Sequence, residues 1–302
     1  MRRQMITFRD ETPMPLVVPL WKFYICAMTR MILFCLGLLM VGFAARGEEP
    51  LRRLLSADEA KAWQAVGRIN MDGAGFCTGA LIAENLVLTA AHCVFFKRTG
   101  KRIPPERIHF LAGWRKGWAA AHRRARRIVV HPDYRFDGKD RLDRVAADLA
   151  LIELESPIRA SVVAPFARHR QPGPGDNVTV VSYARDRSEA PSLQKTCQMI
   201  GRQSDVLVLS CDVNFGASGA PIFVMDDGEP KIASVVSAMA QWNNRDVALG
   251  TSLGEPLDNL MRALIETDPV FQSKSPGAAR IKLPQVGGDG DRGRKTVTPP
   301  TR

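Results

Sequence analysis

The stretch FGASGAP, from Phe215 to Pro221, places one serine, Ser218, among five glycine, alanine and proline residues. Two interpretations fit this composition. Glycine supplies backbone angles that other residues avoid and serine is common in turns, so the stretch fits a tight turn. It equally fits a site where small residues let a substrate carbonyl approach backbone N–H groups beside a nucleophilic hydroxyl. Because a reactive serine needs a general base, the histidines decide between the two.

One of the five histidines is suited to act as that base. His92 ends an apolar segment, LVLTAAHCV, and lies between small alanines and Cys93. A disulfide bond from Cys93 to Cys77 would hold this imidazole rigidly. His131 precedes a proline and is interpreted as structural. The others occur in polar, arginine-containing stretches that are typical of a surface: His109, His122 and His169.

The cysteines indicate disulfide bonds rather than a metal site. Two of the six, Cys26 and Cys35, lie in the N-terminal segment interpreted below as a leader, and four lie after it: Cys77, Cys93, Cys197 and Cys211. Four cysteines allow three pairings, and an even number is typical of exported proteins. They form two couples with local spacing, so the simplest expectation is Cys77–Cys93 and Cys197–Cys211. There is no C-x-x-C or H-E-x-x-H spacing, so we predict no catalytic metal and no other cofactor.

An uncharged run of fifteen residues, Met31 to Ala45, lies between Arg30 and Arg46. A membrane span needs about 20 apolar residues, whereas the core of a signal peptide has about 7–15. Residues 1–47 are therefore interpreted as a leader, with translation starting at Met28. We expect a secreted or periplasmic protein of a bacterium, without a membrane anchor once the leader is cleaved. An uncleaved anchor is the less favoured alternative.

The net charge of +11 belongs mainly to the two ends of the chain. Residues 48–273 have 29 basic and 27 acidic side chains. A nucleic-acid-binding domain needs basic charge on its folded part, so we expect no nucleic-acid partner. One internal cluster is interpreted first as a solvated loop or strand edge and second as an anion site: Arg123, Arg124, Arg126 and Arg127.

The elements that position these residues are mainly strands. From about residue 63 to 248, short β-branched and apolar runs alternate with Gly, Pro, Asn and Asp, which predicts an all-β barrel or sandwich. The segment 155–176 lacks periodicity and is the predicted connection between two β units, about 63–155 and about 176–253. Apolar residues at helical spacing predict a C-terminal helix at about 254–266. Residues 48–62 are expected to be a short pro-region or linker, and 268–302 a disordered basic tail.

Three motifs together resemble those of the chymotrypsin-like (trypsin-like) serine proteases. LTAAHC, with a cysteine sixteen residues earlier, resembles their histidine motif. ADLALIEL, from Ala147, resembles their aspartate motif, with Asp148 before an apolar strand. GASGAP is similar to their nucleophile motif G-D-S-G-G-P. The order His92, Asp148, Ser218 and the gaps of 56 and 70 residues also suit the family.

The resemblance covers about residue 63 to 267 and implies two six-stranded antiparallel β-barrels, with an active site in the cleft between them. It implies a secreted serine endopeptidase, monomeric, that acts on proteins or peptides through an acyl-enzyme. Ser218 would be the nucleophile, His92 the general base and acid, and Asp148 the group that orients the imidazole. The N–H groups of Gly216 and Ser218 would bind the oxyanion.

Some positions depart from the family's pattern. Ala217 replaces the aspartate that pairs with a new N-terminus in digestive members, and no I-V-G-G start occurs, so that zymogen switch should be absent. Ala220 replaces the second glycine of the nucleophile motif. These features resemble the bacterial secreted branch, which includes the V8-like glutamyl endopeptidases.

The predicted substrate pocket consists of Asp212, Ser237 and Met239. Asp212 lies six residues before Ser218, the spacing at which trypsins place an acid that selects lysine or arginine. The interpretation as a turn residue beside Cys211 is favoured, because bacterial relatives carry Cys-Asp here without that preference. Ser237 is also a candidate partner of Asp148. The strand SVVSAM has no histidine, which argues against a glutamyl-specific pocket.

Two other functions fit parts of the sequence. A catalytically silent, protease-like binding module is disfavoured because none of the three motif residues is missing. A membrane-tethered protease of the HtrA type is disfavoured because about 35 residues follow the predicted helix, too few for a PDZ domain.

Overall fold

The computed structural model describes residues 50–139, 141–169 and 172–268. The leader predicted at 1–47 and the tail predicted after residue 268 lie outside these residues. No helix within the described ranges is long and apolar enough to span a membrane. The strands are β1 (Arg52–Arg53), β2 (Val66–Met71), β3 (Gly75–Ala83), β4 (Leu86–Thr89), β5 (Ile108–Ala112), β6 (Ala121–Val130), β7 (Ala150–Leu154), β8 (Asn177–Ala184), β9 (Arg187–Gln203), β10 (Val206–Leu209), β11 (Pro221–Asp226), β12 (Glu229–Trp242) and β13 (Arg245–Ser252). The α-helices are α1 (Ala57–Lys61), α2 (Arg141–Ala146) and α3 (Glu255–Glu266).

Six strands form a closed antiparallel barrel in the order β2-β3-β4-β7-β6-β5. The pairing of β2 with β5, in which Ile69 faces Phe110, closes the ring. All residues of β4 and β7 are buried, as their continuous apolar runs predict for strands covered on both faces. Glu153 on β7 is the exception to this apolar pattern, because it pairs with Arg126 and Arg127 of β6.

Most of the positive charge on β6 is therefore paired with glutamate side chains. Arg124 also pairs with a carboxylate, that of Glu155, at 3.1 Å. Arg123 donates to backbone carbonyl oxygens of His122 and Pro157. Arg124 and Arg126 are solvent-exposed, but β6 pairs with β5 on one side and with β7 on the other. The cluster is therefore neither the loop nor the strand edge that the first interpretation gave.

The second sheet contains β8 to β13 together with β1, in the order β1-β9-β10-β13-β12-β11-β8. An additional pairing of β8 with β9 connects the two ends of this series, so six strands return on themselves. The strand β9 is long enough to pair with β8 from Arg187 to Gln198 and with β10 from Met199 to Gln203. The prediction of an all-β, chymotrypsin-like fold with two β units and a C-terminal helix is confirmed.

Residues 50–62 pack against the second sheet. Arg52 and Arg53 face Leu193 and Ser192 of β9, and the side chain of Leu54 is fully buried. Ser56 then begins α1 with a capping box, because its hydroxyl accepts the N–H of Glu59 while the Glu59 carboxylate accepts the N–H of Ser56.

Three aromatic rings connect separate parts of the core. The ring of Phe223 on β11 lies 5.1 Å from that of Trp63 and 4.7 Å from that of Phe166. Phe166 belongs to the connection between the two β units, so this connection is held by packing. The helix α3 buries Leu257 and Leu260 from its apolar face, as predicted from their spacing.

Candidate active site

The end of β4 and the short 3₁₀ helix Ala91–Val94 position His92. A disulfide bond joins Cys93, the next residue, to Cys77 on β3. Both cysteines and Ala91 are buried, whereas the imidazole of His92 is 21% exposed. The disulfide bond therefore holds the backbone next to His92 in place, while one side of the imidazole is open to the cleft.

Asp148 makes two hydrogen bonds to His92 from the turn that precedes β7. Its Oδ2 lies 2.7 Å from Nδ1 of His92, and its Oδ1 accepts the backbone N–H of His92 at 2.8 Å. The carboxylate is nearly buried, with 4% of the side chain exposed. An ionised carboxylate only accepts hydrogen bonds, so in this contact the proton belongs to Nδ1 of His92, and Nε2 is the ring nitrogen left to accept one.

Two further side chains surround this carboxylate. Ser237, on β12, donates its hydroxyl to Oδ2 of Asp148, in agreement with its expected role as a partner. Tyr134 is buried and lines a cavity of about 540 Å³ together with His92 and Asp148. Burial, and next the negative charge of Asp148, raise the pKa of the Tyr134 phenol. Tyr134 was not predicted from the sequence, because a tyrosine two residues after His-Pro carries no catalytic signature.

Ser218 lies in the loop between β10 and β11. It lines a cleft of about 190 Å³ with His92, Ser237 and Met239. Within the loop, the N–H groups of Ala217 and Gly219 donate to the carbonyls of Asn214 and Val236. Among the described residues, the N–H groups of Gly216 and Ser218 have no acceptor. The loop thus leaves free the two donors that the sequence predicted for an oxyanion.

The orientation of the Gly216 N–H follows from its neighbours. Arg185 donates its backbone N–H to the Phe215 carbonyl at 2.7 Å. In a trans peptide the carbonyl and the following N–H point in opposite directions, so the Gly216 N–H points away from Arg185. A glycine is required here, because φ is +101° and a Cβ would lie 2.5 Å from the ring of Phe76.

Thr78 on β3 holds the loop from the first barrel. Its N–H donates to the Ser218 carbonyl at 2.9 Å, and its hydroxyl donates to the Gly216 carbonyl, also at 2.9 Å. The same hydroxyl accepts the N–H of Tyr183. Thr89 in turn donates to the Thr78 carbonyl at 2.8 Å. These two threonines carry no signal in the sequence, because their partners are backbone atoms and no residue type marks such a contact.

The predicted pocket residues divide between two adjoining cavities. Asp212 lines a cavity of about 510 Å³ that also contains Asp246 and does not contain Ser218. Met239, which is 41% exposed, lines both this cavity and the cleft of Ser218. The Asp212 N–H donates to the side chain of Gln194 at 2.8 Å. Asp246 was not predicted. Its place opposite β12 depends on how β13 pairs with that strand, and this pairing cannot be derived from the sequence of the turn between them.

The second predicted disulfide bond, Cys197–Cys211, joins β9 to the segment before Asp212. Metal binding has little support among the described residues. Within the described ranges, the only grouping with suitable spacing is Cys77, His92 and Cys93. Its two sulfur atoms are bonded to each other and are not thiolates, which are the metal-binding form of cysteine.

His131 is buried, and its Nδ1 accepts the N–H of Asp133 at 3.2 Å. Burial lowers the pKa of its imidazole. His109 and His122 contact each other on neighbouring strands of the first barrel, at 3.0 Å between ring nitrogens. These three rings are absent from the cleft of Ser218, as is His169.

Comparison with known proteins places this geometry in a family. The family model described as Trypsin matches residues 56–251. Mouse complement C1r-B subcomponent is 33% identical over 100 residues, which are 32% of this chain and 13% of that protein, so the chain spans only a small part of it. Trypsin Blo t 3 of Blomia tropicalis is 28% identical over 217 residues, 65% of this chain and 74% of that protein. A solved Glu endopeptidase shares the fold at 17% identity, with a TM-score of 0.59 over 72% of this chain and 97% of that one.

The family model covers well over half of the chain and includes the residues of all three motifs. The chain belongs to the trypsin family of serine proteases.

Proposed function

We propose that this protein is an exported serine endopeptidase that cleaves peptide bonds through an acyl-enzyme on Ser218. One observation carries the proposal. A histidine that is hydrogen-bonded to a buried carboxylate shares a cleft with a serine whose own N–H, like that of Gly216, is free to donate. A binding module does not need this combination of base, nucleophile and unpaired donors.

The first step is attack by the Ser218 hydroxyl on the substrate carbonyl. His92 accepts the hydroxyl proton at Nε2, since its Nδ1 proton is held by Asp148 at 2.7 Å. The imidazolium that forms is stabilised by the Asp148 carboxylate. Two fixed donors, the His92 N–H and the Ser237 hydroxyl, keep that carboxylate in one orientation. His92 then gives the proton to the leaving amine, and a water molecule repeats the sequence to release the acid.

The developing oxyanion would be bound by the N–H groups of Gly216 and Ser218. Donors of this kind lower the barrier because they are oriented before the reaction begins, and removing one typically costs about 10²–10³-fold in rate. Pre-orientation here comes from the contacts of Arg185 and Thr78 with the carbonyls of Phe215 and Gly216.

The acyl part of the substrate has a suitable strand edge beside it. The pairing of β12 with β11 ends at Val235, whereas its pairing with β13 continues to Trp242. In the described part of the chain, the segment Ser237–Met239 therefore has a strand partner on one edge only. An extended peptide binds such an edge through backbone hydrogen bonds, with side chains directed into pockets.

Export is supported by the chemistry of the cysteines. Two disulfide bonds stabilise the described fold, and such bonds persist in oxidising compartments outside the cytosol.

The test is labelling of the purified protein with a fluorophosphonate, which reacts with activated serines. We expect one label per chain at Ser218, no label in Ser218→Ala, and slow labelling in His92→Ala. Ser210→Ala is the matched control, because this nearby serine lines the neighbouring cavity without contacting His92. A folded protein that takes up no label would mean that the site is catalytically silent, and the proposal would then be wrong.

A further inference from the structure

A cavity on one side of the cleft combines the catalytic base with two positive charges. It has a volume of about 130 Å³ and is lined by His92, Gly216, Phe76, Phe215, Lys97 and Arg185, among others. We propose that this cavity binds an acidic side chain of the substrate immediately after the cleaved bond. The inference rests on the proposed protease function and adds to it the class of substrate.

The cavity lies on the leaving-group side of the cleft. Its lining includes Gly216 and Arg185 but not Ser218. The cleft of Ser218 shares His92, Lys97 and Phe215 with this cavity and is also lined by Ser237 and Met239. The acyl group stays bonded to Ser218 and so occupies the cleft of Ser218. His92 protonates the departing amine, so a cavity that contains His92 without Ser218 receives the residue attached to that amine.

The charge of this cavity is entirely positive. No aspartate or glutamate lines it. The guanidinium carbon of Arg185 lies 5.2 Å from the ring centroid of Phe215, and Nζ of Lys97 lies 6.0 Å from the same centroid. The two cations therefore flank one exposed aromatic ring at the mouth of the cavity, since 53% of Phe215 is exposed.

Neither cation has an acidic partner in the part of the chain that the structure describes. Among the described residues, no carboxylate lies within 4.0 Å of Lys97 or Arg185. The arginines of β6 differ, because Arg124, Arg126 and Arg127 all have glutamate partners. Two unpaired cations beside the reacting atoms attract an incoming carboxylate and repel a substrate lysine at the same position.

The lining of the cavity also suits the stem of an acidic side chain. The rings of Phe76 and Phe215 provide apolar surface for the methylene groups of the stem.

Acyl transfer tests the inference without knowledge of the preferred acyl residue. A p-nitrophenyl ester acylates Ser218, and the α-amides of glutamate, glutamine and lysine then compete with water for the acyl-enzyme. The amine nitrogen bonds to the acyl carbon as the bond to Ser218 Oγ breaks. The proton that the amine loses returns to Oγ through His92. The ratio of new amide to free acid measures how well each amine binds on the leaving-group side.

We expect the glutamate amide to be used about 3- to 10-fold better than the glutamine amide of the same shape, as two exposed ion pairs would supply. The lysine amide should be the poorest acceptor. In the double variant Lys97→Gln, Arg185→Gln the preference should fall to about onefold, and 0.5 M NaCl should weaken it in the unaltered protein. Lys61→Gln, Lys195→Gln is the matched control, since it removes two exposed charges that line neither cavity.

The two proposals fail in different ways. An ester that is hydrolysed normally, with equal use of the glutamate and glutamine amides, would overturn the acidic preference and leave the protease function intact. A preference that survives in the double variant would also overturn it, because the charge would then lie elsewhere. Absence of both ester hydrolysis and fluorophosphonate labelling would overturn the protease function, and this inference with it.

Discussion

The hydroxyl of Thr78 donates to the carbonyl of Gly216 at 2.9 Å, so a strand of the first barrel holds the nucleophile loop of the second. The same hydroxyl accepts the N–H of Tyr183 at 3.0 Å, and Thr78 is fully buried. The Thr78 hydroxyl of the first β unit therefore connects two backbone groups of the second, the Gly216 carbonyl, close to Ser218 in the chain, and the Tyr183 N–H. We expect the orientation of the proposed oxyanion donors, the N–H groups of Gly216 and Ser218, to depend on this hydroxyl.

Replacing Thr78 with valine keeps the shape of the side chain and removes the hydroxyl. Two buried backbone groups lose their partner, each at a cost of about 1–3 kcal/mol. We expect Thr78→Val to lower the free energy of unfolding by about 2–4 kcal/mol and the rate of fluorophosphonate labelling by about tenfold or more. Urea unfolding and labelling kinetics measure the two effects.

Thr78→Ser is the control, because it retains the hydroxyl and loses only a methyl group. It should label at close to the original rate. If the valine variant labels as fast as the serine variant, the contact with Gly216 does not orient the oxyanion donors.

A second prediction concerns Gly219, which follows the nucleophile. A Cβ at this position would lie 2.1 Å from Oγ1 of Thr89 and 2.2 Å from the carbonyl oxygen of Thr78, and φ is +79°. Gly219→Ala must therefore displace the nucleophile loop from the first barrel. We expect loss of labelling by more than about 10²-fold, since the rate depends on sub-ångström placement of the reacting groups.

Gly228→Ala provides the matched comparison. Gly228 also has a positive φ, +83°, but nothing lies within 4 Å of its Cβ position. That variant should lose only about 1–3 kcal/mol of stability for the unfavourable backbone angle and should label normally. Equal labelling by the two variants would mean that the close approach of Gly219 to the threonines is unimportant.

The proposed catalytic residues could be identified from the sequence because each lies in a contiguous motif. His92, Asp148 and Ser218 are each flanked by characteristic neighbours, and Ser237 could be inferred from its strand. The roles of Thr78 and Arg185 could not be inferred from the sequence. Both residues donate hydrogen bonds to backbone carbonyls, and every residue type has such a carbonyl. Most strands were likewise visible as apolar runs. The strand β9 has no such run, because its sequence, RSEAPSLQKTCQMIGRQ, is mostly polar and contains a proline.

The third prediction concerns the side chain before the cleaved bond. Asp212 and Asp246 line one cavity beside the cleft, and no lysine or arginine lines it. This favours cleavage after lysine or arginine, although the sequence favoured a turn role for Asp212. We expect Asp212→Asn, Asp246→Asn to reduce kcat/KM for an arginine substrate by about 10- to 100-fold, since a site built for a charged group discriminates strongly once that group is removed.

The measurement is digestion of a peptide library that varies the residue before the cleaved bond. Asp58→Asn, on the exposed face of α1, is the control for a lost negative charge. Cleavage after apolar residues, unchanged by the double substitution, would show that these carboxylates do not contact substrate.

The fourth prediction concerns pH. Burial lowers the pKa of His131, and the nearby charges of Asp133 and Asp205 oppose this only in part. The unfolded chain therefore binds a proton at a higher pH than the folded protein does. The free energy of unfolding should fall as the pH decreases through about 6.5, the ordinary histidine pKa, and level off below the folded pKa. Urea unfolding between pH 7.5 and 5 should show this dependence to be weaker in His131→Gln, and parallel curves for the two proteins would contradict it.

The last prediction concerns the segment before α1. Leu54 is fully buried and donates its N–H to the Pro191 carbonyl at 2.8 Å, while Arg53 donates to the Asp186 carbonyl at 2.7 Å. Asp186 follows Arg185, whose N–H orients the Phe215 carbonyl beside the oxyanion site. The segment therefore supports the hairpin that positions the Gly216 N–H.

Leu54→Ala should lower the free energy of unfolding by about 2–5 kcal/mol, the range for a large buried residue that leaves a cavity. It should also slow the labelling of Ser218, because the hairpin loses its support. The neighbouring Leu55, which is 50% exposed, is the matched control and should tolerate alanine within about 0.5 kcal/mol. If Leu54→Ala and Leu55→Ala unfold and label alike, the segment is dispensable, as a pro-region or linker would be; if only Leu54→Ala is impaired, the segment belongs to the working enzyme.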